Sequence, residues 1–384
     1  MRFEFATASR ILFGPGTLKE SVPLASSMGQ RALLVTGRDP SRADSLRTFL
    51  NQAQVTVSDV AGAGEPTLDT IQTGVAKARD EGCDMVLAMG GGSAIDAGKA
   101  MAALLPNPGG ILDYLEVIGQ GKSLEHAPLP FIAIPTTAGT GAEVTRNAVL
   151  ASPEHRVKVS LRSALMLPRL AVVDPELTLD LPPDITAATG MDALTQLIEP
   201  LVSIRSNPMT ASLCREGIRC VVRSLRRVCQ MGRDSEARAD MALASLLGGL
   251  ALANSGLGAV HGFAAPIGGM FTAPHGAVCA ALLPHVMQAN LKALRERQPD
   301  ASAMRRYEEL GPLLTGHARA SAADGILWVR DLCRDLGIPR LGVYGINESD
   351  VAAVVEKASV ASSMKANPLE LTKEELSDVL SGAL

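Results

Sequence analysis

The stretch MVLAMGGGSAIDAGKA, from Met85 to Ala100, joins an apolar run, three glycines and a helical pattern without interruption. The run Met85–Met89 predicts a buried β-strand, and helical periodicity begins near Ala94. Glycines let the backbone approach a ligand closely, and a helix N-terminus presents free N–H groups, so Gly90–Ser93 is a candidate cradle for a diphosphate. The stretch matches neither the GxGxxG fingerprint nor a Walker P-loop, and a tight turn without a ligand is the alternative.

Short apolar runs alternate with helical patterns through the first half of the chain. We predict strands at Arg31–Gly37, Val55–Val60, Met85–Met89, Phe131–Ile134 and Leu170–Val173, and helices over Ser41–Ala53 and Leu68–Glu81. Such alternation is typical of βαβ units with a mostly parallel sheet. A second Gly/Thr-rich turn, Pro135–Thr145, follows one strand; its hydroxyls could bind a ribose or phosphate, or could simply cap a helix. Two such loops at strand ends in one sheet favour a nucleotide crevice.

From about Pro183 the chain shows helical periodicity and no β-type alternation. The sequence therefore predicts two domains: a dinucleotide-binding α/β domain over residues 1–182 and an all-α domain over residues 183–384. The segment Asp174–Asp184 is the predicted linker, because its three prolines restrain the backbone.

Asp192, His261 and His275 of the second half are candidate metal ligands. Asp192 and Gln196 are four positions apart, which places them on one face of a helix. The run Ala259–Gly276, AVHGFAAPIGGMFTAPHG, is too rich in Gly and Pro to be one helix, so His261 and His275 should lie on separate elements that meet at a turn. A carboxylate and two imidazoles that converge would bind a divalent metal and leave a position open; structural or surface histidines are the alternative.

The composition excludes several classes of protein. With 384 residues, 47% hydrophobic and 20% charged, the chain has the balance of a globular protein with a large core, and its net charge of −4 argues against a nucleic-acid binder. Six cysteines without a CxxC pair indicate a reducing compartment. The chain shows no signal-peptide pattern and no membrane-spanning run, so we expect a cytoplasmic protein without a membrane partner. The five arginines of Arg215–Arg227 indicate a solvated helix face.

Five motifs in order resemble those of the iron-containing, or group III, alcohol dehydrogenases, and they extend over essentially the whole chain. They are GGGSAIDAGKA (Gly90–Ala100), IPTTAGTGAEVTRNAV (Ile134–Val149), DPELTLDLPP (Asp174–Pro183), ATGMDALTQLIE (Ala188–Glu199) and HGFAAPIGGMFTAPHGAVCAALLPH (His261–His285). The resemblance implies a dehydroquinate synthase-like fold and an NAD(P)-dependent alcohol dehydrogenase or aldehyde reductase that acts on a small molecule. It also implies a homodimer or larger homo-oligomer.

The resemblance also assigns residues to each site. Asp192, His261 and His275 match three of the family's metal ligands, and we expect them to be the catalytic residues as well. Gly92 and Ser93 would hold the pyrophosphate. Gly37 stands where several NAD-preferring relatives have an Asp, and Arg38 follows it, so the cofactor is NAD or NADP. The full set of implied cofactor-binding residues is Gly37, Gly91, Gly92, Ser93, Thr136, Thr137, Thr140, Asn147, Lys158 and Thr178.

Two departures from the family pattern affect the chemistry. Gln196 replaces the histidine of the usual DALTH motif; its amide oxygen could still bind a metal, but an amide is a poorer ligand than imidazole for iron. A carboxylate with two histidines suffices for zinc, so iron and zinc are both candidates. Ala265 replaces the second histidine of the HGxxH pattern, which leaves the ribose hydroxyls of the cofactor and water as the proton relay.

The expected reaction is hydride transfer between a nicotinamide ring and a primary alcohol or its aldehyde, with a metal that lowers the pKa of the alcohol. Ala265, Phe263 and Met270 would make the substrate pocket apolar and favour a substrate with a hydrophobic portion. Three alternatives stay open. They are a metal-independent oxo-acid reductase of the maleylacetate reductase type, for which Arg146 is the candidate anion-binding residue, a lyase of the dehydroquinate synthase kind, and a cofactor-binding homologue that has lost catalysis.

Overall fold

The structure, a computed structural model, describes residues 2–62, 64–155 and 157–384. The chain forms two compact units. The first consists of Ala6–Thr137 and Gly141–Leu179, and the second of Asp180–Leu384 together with Ala138–Thr140 and the segment that ends at Phe5. The last two segments group with the helical unit, whereas the sequence assigned them to the dinucleotide-binding domain.

A six-stranded parallel sheet forms the centre of the first unit. Its strands are β1 (Ile11–Phe13), β2 (Arg31–Thr36), β3 (Thr56–Ala61), β4 (Met85–Gly90), β5 (Phe131–Pro135) and, after the hairpin described below, β8 (Leu170–Val173). Their order is β1-β8-β5-β4-β2-β3. The strands β4, β5 and β8 are buried along their whole length, as expected for a parallel sheet covered on both faces. The mostly parallel sheet predicted from the sequence is confirmed.

Helices cover both faces of this sheet. They are α1 (Thr17–Glu20), α2 (Val22–Ser26), α3 (Asp44–Gln52), α4 (Leu68–Asp80), α5 (Gly92–Leu104) and α6 (Ile111–Tyr114). Alternate residues of β2 belong to opposite hydrophobic clusters. Leu33 is in the cluster that contains residues of α4 and α5, and Leu34 is in the cluster that contains residues of α3. This period of two is the reason why a nearly continuous apolar run forms a strand buried on both sides.

Two β elements of the first unit were missed in the sequence, as were the short helices α1, α2 and α6. One is the short edge strand β1; the other is a hairpin of β6 (Asn147–Ser152) and β7 (Val157–Arg162), which pair antiparallel. Three residues are too few to show a period, and the hairpin strands follow a loop that we treated as part of a nucleotide site. The helix expected to begin near Ala94 begins at Gly92 instead.

The second unit is all-helical, as predicted. Its helices are α7 (Pro183–Val202), α8 (Pro208–Gln230), α9 (Ser235–Ser255), α10 (Ala259–Met270), α11 (His275–Arg297), α12 (Ser302–Thr315), α13 (Ala322–Asp335), α14 (Val351–Ser359) and α15 (Lys373–Ala383). Residues of α7 from Gly190 to Val202 are all buried, so this helix is the core of the unit. Within the described residues no single helix has the length and apolar composition to cross a membrane, although α9 and α10, at a 98° bend, reach that length together.

The arginine-rich face of α8 is tied to its neighbours by ion pairs. Arg223 contacts Asp240 of α9 at 2.6 Å, and Arg226 contacts Asp335 at the end of α13 at 2.9 Å. Arg215 pairs with Glu309 of α12. The prediction of a helix face without a binding role agrees with these pairs, because the cations are already matched by acidic partners of the same unit.

Candidate functional site

Three helices of the second unit bring the predicted metal ligands together. Asp192 and Gln196 lie one turn apart on α7, His261 lies in the first turn of α10, and His275 is the first residue of α11. The chain between the two histidines breaks after Met270, so they lie on separate elements as predicted. The break follows from the sequence, since Pro274 has no N–H to continue a helix.

The donor atoms of these residues face one another at short range. His261 Nε2 lies 3.4 Å from Asp192 Oδ1, and His275 Nε2 lies 3.7 Å from the same oxygen. Asp192 is 1% exposed, and its Oδ1 accepts no hydrogen bond from the described part of the chain. A buried carboxylate oxygen without a donor is costly unless an ion or water completes it. The cluster therefore fits a divalent cation, which would satisfy this oxygen.

A second carboxylate orients one of the imidazoles. Glu199 Oε2 lies 2.7 Å from His261 Nδ1, while its Oε1 accepts a hydrogen bond from the Val260 N–H at 2.7 Å. Metal-binding histidines are commonly held in this way, because the carboxylate fixes the ring tautomer and directs Nε2 at the ion. The sequence analysis missed Glu199, although it follows Asp192 by seven residues and so occupies the same face of α7.

Cys279 is a further member of the cluster that sequence reasoning missed. Its Sγ lies 3.6 Å from His275 Nε2 and 3.9 Å from His261 Nε2. Ligand atoms of Asp192, His261, His275 and Cys279 all lie within 4.8 Å of one another. The available signal was the spacing, since Cys279 follows His275 by four residues on one helix face.

Contacts within the cluster shift the pKa of three of its members. Burial alone would raise the pKa of Asp192, but the imidazoles of His275 and His261 outweigh it and lower the pKa. Burial would lower the pKa of His261, but its interactions with Cys279, Asp192 and Glu199 raise it well above its ordinary value. The interaction with Cys279 is also the main reason why the pKa of His275 rises to about 9. A cation must therefore displace protons from both imidazoles.

Gln196 occupies the position of the family's missing histidine. It is 3% exposed, and its Oε1 accepts no hydrogen bond from the residues that the structure describes. Its side chain hydrogen-bonds Asp192 and helps to lower the pKa of that carboxyl. The amide oxygen thus keeps its capacity to bind a cation.

The predicted cofactor loops of the first unit lie at the carboxyl ends of neighbouring strands. Gly90 of β4 is in register with Pro135 of β5, and Thr36 of β2 is in register with Met89. Gly37, Gly91–Ser93 and Thr136–Thr137 therefore follow three adjacent strands. A Cβ on Gly91 would lie 3.5 Å from the Thr137 side chain.

The position of these loops in the sheet matters. From β2 the chain passes to β3 on one side, and β4 lies on the other side of β2. In open parallel sheets ligands bind at such a switch point, outside the carboxyl ends of the strands. Gly92 is the first residue of α5, so the N–H groups of this helix start at the same edge.

The other predicted cofactor residues are spread over the chain. Asn147 begins β6, and its carbonyl accepts a hydrogen bond from Lys99 at 2.8 Å. Lys158 lies on β7 and pairs with Glu65 at 2.8 Å. Thr178 ends a 3-10 turn after β8 and donates to the Pro175 carbonyl at 2.7 Å. Thr140 belongs to the short segment that groups with the second unit.

One expectation about the substrate pocket is wrong. Phe263 is 0% exposed, so it is a core residue of the helical unit and does not line an open pocket. Ala265 is exposed and Met270 is half-buried. Ala265 follows His261 by four residues and so shares the face of α10 that carries the cluster.

Two family models match the chain: "Iron-containing alcohol dehydrogenase" over residues 8–175 and "Fe-containing alcohol dehydrogenase family, C-terminal" over residues 186–384. Long-chain-alcohol dehydrogenase 1 of Geobacillus thermodenitrificans (strain NG80-2) is 36% identical over 396 residues, which cover 98% of this chain and 97% of that protein. A crystal structure of 1,3-propanediol oxidoreductase is 32% identical with a TM-score of 0.93, and each chain is covered to 100%. Sulfoacetaldehyde reductase from Bifidobacterium kashiwanohense, solved in complex with NAD+, is 28% identical with a TM-score of 0.87, covering 99% of this chain and 98% of that one.

Proposed function

Because the chain belongs to the iron-containing alcohol dehydrogenase family, we propose that it transfers hydride between a primary alcohol and a nicotinamide nucleotide at a bound metal. The observation that carries this proposal is the buried Oδ1 of Asp192, which accepts no hydrogen bond from the described residues and faces two imidazole nitrogens. A divalent cation held there supplies positive charge that lowers the pKa of an alcohol and polarises a carbonyl.

Each residue of the cluster has its own role in the proposed reaction. Asp192 supplies negative charge from a nearly fully buried position, and Glu199 holds His261 so that Nε2 faces inward. The side chain of His275 is 37% exposed, against 7% for His261 and 2% for Asp192. The substrate therefore approaches the cluster from the side of His275.

The nucleotide is NAD or NADP, bound at the carboxyl edge of the parallel sheet. Gly91, Gly92 and Ser93 would hold the pyrophosphate, because their backbone N–H groups begin α5 and no Cβ of the glycines blocks a close approach. Gly37 lies at the end of β2 without a carboxylate, so nothing there repels a 2′-phosphate. The relative solved with NAD+ supports a nicotinamide nucleotide at this fold.

The substrate class follows from the face of α10. Ala265 is exposed one turn after His261, where it adds apolar surface and no proton carrier. We therefore assign a substrate with a hydrophobic portion, and a relay of ribose hydroxyls and water for the proton. The similarity to a long-chain-alcohol dehydrogenase supports this choice.

The test compares metal-free and reloaded protein. The protein is dialysed against a chelator, reloaded with Fe²⁺ or Zn²⁺, and assayed by NAD(P)H absorbance with short and long aldehydes. Turnover should vanish in the metal-free form and return with one of the two ions. Asp192→Asn should lose at least 1,000-fold in kcat/KM, about 4 kcal/mol of transition-state stabilisation, whereas the exposed Asp184→Asn on the same helix should keep it. Unchanged turnover without metal would refute the proposal in favour of a metal-independent oxo-acid reductase.

We also propose a homodimer or larger homo-oligomer in the cytoplasm. All six cysteines are free thiols, as in a reducing compartment. The apolar side chains of Ile204, Val343 and Val360 are 63%, 72% and 78% exposed, and a partner subunit could cover them. Light scattering after size exclusion measures the mass of the assembly; a monomer would contradict it.

A further inference from the structure

We propose that Cys279 is a ligand of the metal centre and takes the place of the histidine ligand lost at Gln196. This inference rests on the metal requirement of the proposed function. It adds to Asp192, His261 and His275 a thiolate donor that the family pattern does not contain.

Four of the six separations between the donor atoms are close to those of a tetrahedral site, and all six are within 4.8 Å. Zinc binds His N and carboxylate O at about 2.0 to 2.2 Å and Cys S at about 2.3 Å, which separates N and O donors by about 3.4 Å and N and S donors by about 3.6 Å. Here Asp192 Oδ1 and His261 Nε2 lie 3.4 Å apart, and Cys279 Sγ and His275 Nε2 lie 3.6 Å apart. The other two of these four distances, 3.7 Å between Asp192 Oδ1 and His275 Nε2 and 3.9 Å between Cys279 Sγ and His261 Nε2, exceed the ideal values by about 0.3 Å.

The orientation of the rings indicates a shared centre. Glu199 occupies Nδ1 of His261, so the Nε2 lone pair is directed at the same space as Sγ of Cys279 and Oδ1 of Asp192. Cys279 is fully buried, and its polar contacts within the described residues are two ring nitrogens that also face Asp192. One cation bound between these groups would satisfy the sulfur, the carboxylate and both ring nitrogens at once.

The positions of α7 and α11 explain how a metal ligand missing from one helix can be supplied by the other. On α7, Asp192 is followed one turn later by Gln196; on α11, His275 is followed one turn later by Cys279. Each helix thus presents two consecutive turns to the same centre. The imidazole absent from the second turn of α7 is matched by a thiolate on the second turn of α11.

A thiolate changes which metal the site prefers. Soft sulfur ligands select zinc over iron(II) when carboxylate and imidazole make up the rest of the set. We therefore expect the purified protein to hold zinc, and Cys279→Ser to bind zinc at least tenfold more weakly in competition with a chromogenic chelator.

Cobalt(II) tests the assignment without any activity measurement. The full-length protein is stripped with chelator and titrated with one equivalent of Co²⁺, and its absorbance is recorded. Wild type should show an intense near-ultraviolet sulfur-to-cobalt charge-transfer band, and Cys279→Ser should bind cobalt without it. Cys333→Ser is the matched control, because Cys333 also contacts α11, at the Ala280 carbonyl, but lies outside the cluster. This variant should keep the band.

The outcomes separate this inference from the proposed function. Suppose that wild type binds cobalt without the charge-transfer band while its turnover still requires metal. That result would overturn the assignment of Cys279 as a ligand and leave the proposed function intact. Failure of wild type to bind any cobalt or zinc would overturn both proposals. The wild-type spectrum decides the question even if Cys279→Ser does not fold.

Discussion

At the scale of single residues, Glu199 is the side chain whose role is easiest to isolate. It contacts His261 Nδ1 and the Val260 N–H and lies opposite the ring nitrogen that faces the metal. Glu199→Gln keeps the size but loses the charge that fixes the tautomer. We expect metal affinity to fall about 10- to 100-fold, with a matching fall in activity at limiting metal.

Chelator competition measures this change. The control is Glu216→Gln, since Glu216 is an exposed glutamate of α8 whose ion pair among the described residues is with Arg219 of its own helix. Its metal affinity should equal that of wild type. An unchanged affinity in Glu199→Gln would mean that His261 is oriented by packing alone.

Most of the side-chain cluster that could hold a metal was predicted from the sequence, and the reason for the limit is geometric. Asp192, His261 and His275 were identified because residue type and motif order both pointed to them. Glu199 and Cys279 were missed because helical spacing tells which residues share a face, whereas the packing of three helices decides which faces meet. Similarly, the exposure of Ala265 and the burial of Phe263 depend on which face α10 turns to its neighbours. The sequence does not show this face, because the glycines and Pro266 obscure the helical pattern of this stretch.

At the scale of elements, the loop between β4 and α5 carries the cofactor argument. Gly91 has φ −73° and ψ −176°, a conformation open to any residue, and a Cβ there would meet Thr137 at ordinary contact distance. Gly91→Ala should therefore change the free energy of unfolding by no more than about 1 kcal/mol. The methyl group fills part of the predicted cradle, so NADH affinity should fall at least tenfold.

Fluorescence titration measures the NADH affinity, and urea denaturation measures the free energy of unfolding. Gly110→Ala, at the N-terminus of α6, is the matched control, since its Cβ would touch only Asp113. It should bind NADH like wild type. Normal NADH binding by Gly91→Ala would place the diphosphate elsewhere.

The elements themselves were mostly predictable, because strand and helix periods were long enough to read. Leu170–Val173 was predicted to the residue, and β2, β4 and β5 to within one residue at one end. The β6–β7 hairpin was not found because β6 begins two residues after the Gly/Thr-rich turn Pro135–Thr145, which we interpreted as a ligand loop. The motif Ile134–Val149 contains part of the predicted ligand loop and part of the hairpin, since Thr136 follows β5 and Asn147 begins β6.

At the scale of the whole molecule, two buried ionisable groups of the first unit make stability depend on pH. Burial raises the pKa of Glu143 to about 7 and lowers the pKa of Lys99 to about 8. Between the ordinary pKa of 4.5 and about 7 the folded protein holds a proton on Glu143 that the unfolded chain has lost. Its contribution to stability is therefore lost as pH rises through this window.

Glu143→Gln removes this dependence. The shift corresponds to roughly 3 kcal/mol at most, so the variant should gain up to that amount over wild type between pH 4.5 and 7. Lys99 acts in the opposite sense: its ammonium costs stability below about pH 8, and stability rises from there to about 10.5. Urea denaturation at several pH values gives both slopes. The exposed Glu154→Gln is the control and should follow wild type; a parallel curve for Glu143→Gln would contradict the assignment.

The prediction of two domains came from the change in periodicity near Pro183, which reflects composition over long windows. The grouping of Ala138–Thr140 with the helical unit could not be predicted, because a three-residue segment carries no periodic signal. Family resemblance supplied the fold class, and the similarity of solved structures over the full chain confirms it.

The donor atoms of Asp192, His261, His275 and Cys279 stand on the turns of three packed helices. Because the fold positions them before any ion arrives, capture of the ion needs no ordering of a loop and carries little entropic penalty. The rate of metal binding should then depend on how fast the ion passes the partly exposed side chain of His275. Such preorganisation makes the site selective for coordination geometry, since the packed helices cannot shift to suit an ion that prefers a different arrangement of ligands.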